Sequence, residues 1–176
     1  MRLTAALLLI LFQVEARADI LTGRVVRVTD GDTIVILDAN NTQHKIRLQG
    51  IDSPERGQAF GAKSKENLSN MVAGKTVVVD YSKRDRYQRI VGKVLLDDQD
   101  VNLEQVQAGM AWHYKKYQGE QTIDDRIAYS DAELDARRQK RGLWIDVNPT
   151  PPWEYRQAKR QQMKDIGSFT DKSKAE

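Results

Sequence analysis

Ile20-Leu21-Thr22-Gly23-Arg24-Val25-Val26-Arg27-Val28-Thr29, then Asp30-Gly31, then Thr33-Ile34-Val35-Ile36-Leu37 is the stretch that decides the fold. Two β-branched runs flank a dipeptide that favours a tight hairpin. Asp38-Ala39-Asn40-Asn41 supplies a second turn. Gln43 to Leu48 then alternates, with Ile46 and Leu48 on one face and Lys45 and Arg47 on the other. Three consecutive antiparallel strands are predicted. From Gln58 to Ala73 the period becomes helical, carried by Phe60, Ser64, Leu68, Met71 and Val72, and Gly74 is a natural stop. Lys75 to Ser82 and Arg89 to Leu96 read as a fourth and a fifth strand. Asn102 is the expected N-cap of a short helix, with Gln105 at N3 and Gly109 at its end. Asp124 to Arg141 is a longer helix, with Gly142 at the expected C′ position. Three strands, a helix and two more strands follow the order of the five-stranded Greek-key barrel of OB type, here with three helices.

Pro149, Pro151 and Pro152 mark the end of that unit. One domain over residues 19–148 is expected, followed at 149–176 by a polar tail that holds at most a short helix and frays. The first 18 residues read differently. Arg2 precedes an unbroken apolar run from Ala5 to Phe12, and Ala16-Arg17-Ala18 matches the small-x-small pattern of a cleavage site. The run is far shorter than the ~20 residues that span a bilayer. A cleaved signal peptide is expected, and with it a periplasmic or secreted protein with no membrane contact after cleavage.

Composition narrows the chemistry. The 176 residues contain no cysteine and two histidines, which excludes thiol catalysis, disulfides and thiolate metal sites. A mean hydropathy of −0.63 excludes a polytopic membrane protein. The pI of about 9.1 hints at a polyanionic partner. The net charge of +3 is too mild to carry that alone, and loss of Arg2, Arg17 and Glu15 with the signal lowers it by one.

The candidate residues are ordinary one at a time. Asp32 is a turn carboxylate, and Asp52-Ser53-Pro54-Glu55 is a polar strand exit stiffened by proline. Arg47 and Arg89 are strand arginines. Together they would meet three needs of phosphoryl chemistry. Carboxylates are hard oxygen ligands for a divalent cation. Guanidinium forks match phosphate oxygens and stabilise developing negative charge. A further carboxylate can orient or deprotonate water.

Asp30-Gly31-Asp32-Thr33, Ile46-Arg47-Leu48-Gln49-Gly50-Ile51-Asp52-Ser53-Pro54-Glu55 and Asp85-Arg86-Tyr87-Gln88-Arg89 resemble, in this order, the staphylococcal nuclease family. The resemblance extends from about Leu21 to Trp144. It implies an OB-fold barrel with three helices and a calcium-dependent phosphodiesterase acting on DNA and RNA. It further implies Asp32 and Asp52 as calcium ligands, and Ser53 as a ligand through its backbone carbonyl. Glu55 would be the general base, and Arg47 and Arg89 the clamp on the scissile phosphate. Arg86 and Tyr87 would flank a terminal phosphate, and Tyr114 and Tyr117 would face the bases. Two departures stand out. Gln88 occupies a position where the family usually has glycine, and the segment after Glu55 is short.

The expected reaction is in-line attack of water on the backbone phosphorus, leaving 3′-phosphate and 5′-hydroxyl ends, by a monomer with little sequence preference. The competing reading is a non-catalytic OB-fold module that binds nucleic acid. A basic rim of Lys83, Arg84, Arg86, Lys93, Lys115 and Lys116 would serve either.

Overall fold

The computed structural model describes residues 19–172, with side chains over 19–166. The expected signal peptide lies outside the described residues. Strand β1 (Asp19–Asp30) pairs antiparallel with β2 (Thr33–Leu37), and β2 pairs with β3 (Gln43–Leu48). A short β4 (Ile51–Asp52) follows, and then helix α1 (Gly61–Val72). Strand β5 (Thr76–Arg84) pairs with the first half of β1, and β6 (Ile90–Leu96) pairs with β5. A parallel pairing of β3 with β6, Ile46 opposite Ile90, closes the barrel. β1 serves two neighbours by bending: the ladder to β2 shifts register between Val25 and Arg27 and again between Val28 and Asp30.

The remaining elements cap the barrel. They are β7 (Gln99–Asp100), α2 (Val101–Gln107), β8 (Trp112–His113), α3 (Ile123–Arg138) and α4 (Pro152–Lys172). Two 3₁₀ turns, Lys115–Glu120 and Gly142–Ile145, lie between them. The expected OB-type barrel is present. The inward residues Val25, Ile34, Ile36, Ile46, Leu48, Val77, Val79, Ile90 and Val94 form one cluster with Leu68 and Val72 of α1, Val106 of α2 and Tyr129 of α3. The alternation read along the strands follows from this, because one face of each strand meets the interior.

Four local expectations change. α1 begins at Gly61 rather than Gln58, because Phe60 takes a left-handed conformation (φ 64°) that interrupts any helix before it. α2 is capped by Asp100, whose carboxylate accepts the Leu103 N–H at 3.0 Å. α3 ends at Arg138. Lys140, not Gly142, takes the left-handed C′ position, with the Arg141 N–H donating to the Ala136 carbonyl as in a Schellman motif. Finally, Pro152 opens a 21-residue helix where a fraying tail was expected. Proline is favoured at the first helical position, so the segment that punctuates the domain also starts α4.

Asn102, expected at a helix end, is instead buried inside α2 and joins three elements. Its Oδ1 accepts the Val94 N–H at 3.1 Å, and its Nδ2 donates to the carbonyls of Gln49 (3.0 Å) and Gly92 (3.2 Å). Gln105, one turn on, donates to the carbonyls of Gly31 (2.6 Å) and Ser64 (3.1 Å). These amides satisfy backbone groups that the barrel ladder leaves over at its mouth. Replacing Asn102 with Ala removes the side-chain partner of the Val94 N–H and of the Gln49 carbonyl, while the Gly92 carbonyl keeps the Gln49 N–H at 2.8 Å. It should cost about 2–4 kcal/mol in urea unfolding, against less than about 0.5 kcal/mol for Lys65→Ala on the exposed face of α1. A loss below about 1 kcal/mol at Asn102 would show that the link is dispensable.

Candidate active site

Asp32 sits in the two-residue turn between β1 and β2, with Asp30 opposite Thr33. Neither Gly31 nor Asp32 has positive φ, so glycine is needed here for close approach. A Cβ on Gly31 would lie 1.8 Å from the Ser64 hydroxyl oxygen and 2.9 Å from the Ser53 Cβ. The turn is thereby pressed against α1 and the segment that carries the second carboxylate.

Asp52 does not end the third strand, as the sequence suggested. β3 stops at Leu48, Gly50 turns the chain with a φ of 76°, and Asp52 lies on β4. β4 is held by β8, Ile51 opposite His113 and Asp52 opposite Trp112, and the Tyr114 N–H donates to the Gly50 carbonyl at 2.8 Å. A two-residue strand has no sequence signal of its own, since its partner is sixty residues away.

One guanidinium joins the two carboxylates. Arg47 Nη1 is 2.9 Å from Asp32 Oδ2, and Arg47 Nη2 donates to Asp52 Oδ1 at 2.9 Å. Asp32 Oδ2 also accepts the Ser53 N–H at 2.8 Å, and Asp32 Oδ1 accepts the Thr33 hydroxyl at 3.0 Å. All of these carboxylate oxygens are buried. Burial would raise Asp32, but the Arg47 charge and the hydrogen bonds from Asp30 and Ser53 hold it below the ordinary carboxylate range. Asp52 goes the other way: burial pushes it up despite Arg156 and Arg47. Asp30, which the sequence marked only as part of the turn motif, is also raised, by burial and by the neighbouring Asp32 charge.

Glu55 follows on the same segment. Its N–H donates to Gln58 Oε1 at 3.0 Å, which shapes the short connection into α1. Arg89 lies just before β6, the neighbour of the strand that carries Arg47, with Ile90 opposite Ile46. Its Nε donates to Asp85 Oδ2 at 2.7 Å, and Asp85 Oδ1 accepts the N–H groups of Tyr87 and Arg89. Arg89 thus faces the cleft while paired to Asp85, not to the central carboxylates. Arg86 and Arg89 both lie over the Tyr87 ring, at 4.8 and 5.7 Å from its centroid.

All ten sequence-selected residues line one cleft of about 1180 Å³: Asp32, Arg47, Asp52, Ser53, Glu55, Arg86, Tyr87, Arg89, Tyr114 and Tyr117. Of the expected basic rim, Lys83, Arg86, Lys115 and Lys116 border it, whereas Arg84 and Lys93 do not. Several of these charges are already partnered: Lys83 with Glu120, Lys115 with Glu133, and Lys93 with Asp125 at 2.5 Å.

The residue missed in the sequence is Arg156. From the first turns of α4 its Nη1 reaches Glu55 Oε1 (2.6 Å) and Asp52 Oδ1 (3.1 Å), and its Nη2 reaches Asp52 Oδ2 (2.7 Å). Trp153 on the same helix stacks on Tyr114, with ring centroids 5.4 Å apart and planes 12° apart, and meets Trp112 edge-on at 6.4 Å. The available signal was a tryptophan three residues before an arginine in a segment otherwise polar, opened by proline.

A closed small barrel with helices around it, its mouth lined by carboxylates and arginines, defines an OB-fold protein. Residues 45–146 match the family described as staphylococcal nuclease homologue. A protein named uncharacterized endonuclease, from Escherichia coli, is 42% identical over 160 residues, covering 90% of this chain and 100% of that protein. A micrococcal nuclease of Shigella flexneri is 38% identical over 169 residues, covering 91% of this chain and 94% of that one. Protein ParB of Escherichia coli is 35% identical over 165 residues, covering 89% and 90%. The chain belongs to the staphylococcal nuclease family. The family model ends at residue 146, before α4, while the matches to these relatives extend into it.

Gln88, at the position where the family usually has glycine, takes a left-handed conformation with a φ of 61°, in the turn that precedes Arg89. Gln88→Gly should raise the unfolding free energy by about 0.5–1 kcal/mol, and Gln88→Val should lower it by more than about 1 kcal/mol. Urea titration of the two variants checks this. Destabilisation by glycine would mean that the Gln88 side chain contributes more than the backbone strain costs.

Proposed function

We propose that the protein is a calcium-dependent endonuclease that hydrolyses DNA and RNA with little sequence preference. The observation that carries this is the Arg47 fork. It draws two buried carboxylates, Asp32 and Asp52, to one point at the floor of an open cleft. Glu55 and Arg89 border the same space. Family membership, and relatives named endonuclease and micrococcal nuclease, support the same reading.

The donor set suits a hard cation. Among the described residues no cluster of three or more Asp, Glu, His or Cys forms a ready-made metal cage. Two converging carboxylates with backbone and substrate oxygens agree with calcium, which accepts mixed oxygen ligands. Asp32 and Asp52, with the Ser53 carbonyl, would hold the ion. When bound, it supplies positive charge against a phosphate oxygen. Arg47 and Arg89, on or beside the paired strands β3 and β6, bind the phosphate and favour the added negative charge of the five-coordinate state. Glu55, on the cleft rim, orients or deprotonates the attacking water. Departure of the 5′ oxygen leaves 3′-phosphate and 5′-hydroxyl ends. Arg86 and Tyr87 contact a flanking phosphate, and Tyr117, half exposed beside Lys83 and Lys116, offers a ring to a base. Contacts of this kind read backbone rather than sequence and weaken with salt.

The reading further includes export, supported by the residue order of positions 1–18, and action as a monomer. Among the described residues no helix is long and apolar enough to cross a membrane.

Plasmid DNA and RNA incubated with purified protein should be degraded with calcium and spared with excess chelator. Arg89→Gln and Arg47→Gln should each lower the rate by about 10²–10³. Arg89→Gln is the cleaner test, because Arg47 also balances the buried charge of Asp32 and Asp52. Activity within tenfold of the unsubstituted protein removes the substituted arginine from the mechanism. Nucleic acid bound but intact under both conditions favours a non-catalytic binding module instead.

A further inference from the structure

α4 lies beyond the residues matched by the family model, 45–146, and it reaches the middle of the site. Its first turn is fastened. Pro152 is buried, Trp153 stacks on Tyr114 and meets Trp112, and Gln58 Nε2 donates to the Thr150 carbonyl at 2.6 Å. One turn later the Arg156 guanidinium is spread over both oxygens of Asp52 and one oxygen of Glu55. Asp52 Oδ1 accepts from Arg47 as well, so both oxygens of this carboxylate are engaged.

Two cations cannot share these oxygens at full strength. Calcium binds carboxylate oxygen at about 2.3–2.6 Å, and the Arg156 nitrogens approach Asp52 at 2.7 and 3.1 Å. Like charge at such spacing is repulsive, and the lone pairs are limited. The Arg156 side chain is 33% exposed, so its guanidinium has a path into the cleft without movement of the helix. A phosphate is the natural acceptor there, because it matches the guanidinium fork as a carboxylate does.

We propose that Arg156 is a positioning residue that sets the calcium affinity of the site. Its guanidinium competes with calcium for Asp52 and Glu55, and a substrate phosphate favours the ion by taking the guanidinium away. The proposal rests on the calcium reading above. It adds that calcium and substrate bind cooperatively through a residue of α4. Coupling is reciprocal, so calcium should strengthen nucleic-acid binding by the same factor.

Calorimetric titration of calcium chloride into the full chain tests this directly, with and without a single-stranded phosphorothioate oligonucleotide. Arg156→Gln should bind calcium alone at least about fivefold more tightly than the unsubstituted chain. The oligonucleotide should tighten calcium binding in the unsubstituted chain by a similar factor, and clearly less in Arg156→Gln. Arg156→Lys keeps the charge without the fork and should fall between them. Circular dichroism and a thermal melt establish that each variant is folded. Should Arg156→Gln not fold, Trp153→Ala, which loosens the seat of α4, should give the same tightening. Equal or weaker calcium binding in the folded variant overturns the proposal while leaving the calcium reading in place. A folded unsubstituted chain that binds no calcium, with or without oligonucleotide, overturns both.

Discussion

The site depends on one electrostatic constraint: two aspartates buried at the mouth of a barrel must be compensated. Asp32 and Asp52 are 8% and 1% exposed at their side chains, so neither is served by bulk water. Removing carboxylates from water is costly unless they are paired and hydrogen-bonded. Arg47 reaches both at 2.9 Å, Arg156 engages both oxygens of Asp52, and the Ser53 N–H and Thr33 hydroxyl complete Asp32. A guanidinium suits the task because its geometry is planar and its charge is permanent. The arrangement that makes the barrel mouth tolerable also holds anionic and cationic groups ready for a phosphate and a metal.

The rest of the fold sets the tolerance of that arrangement. Gly31 lets the Asp32 turn sit against Ser64 and Ser53, and Gln105 pins the Gly31 carbonyl from α2. Asn102 ties the same helix to β6 and to Gln49, just before the Gly50 turn and β4. β8 then fixes β4, and with it Asp52. The carboxylates are thus positioned by buried polar bonds between elements, which are stiffer than side-chain packing alone because each lost bond leaves an unsatisfied group.

α4 brings a second guanidinium to the same charges. Arg47 and Arg156 approach Asp52 from different elements, one on a barrel strand and one on a terminal helix. The strand arginine lies within residues 45–146, which the family model matches, and the helix arginine lies after them. The aromatic seat of Trp112, Tyr114 and Trp153 makes this contact reproducible. It fixes where α4 starts, and one helical turn then fixes where Arg156 arrives.

Sequence by itself determined the barrel and most of its mouth. Alternation along Gln43–Leu48, the turns at Asp30-Gly31 and the helical period from Ser64 to Val72 are local signals, and each is read within a few residues of its cause. Asp32, Arg47, Asp52, Glu55 and Arg89 were legible because three short motifs keep their order and spacing. The left-handed position at Gln88 was legible for the same reason, as a side chain where a turn favours glycine. Tertiary structure alone decided the rest. Asn102 looked like a cap and is a buried cross-link, because its partners on β6 and at Gln49 are brought to it only by barrel closure. β4 exists only because β8 lies beside it. Arg156 meets Asp52 across more than a hundred residues of chain. No local pattern encodes such a meeting; it follows from where the packed barrel leaves buried negative charge and which helix can reach it.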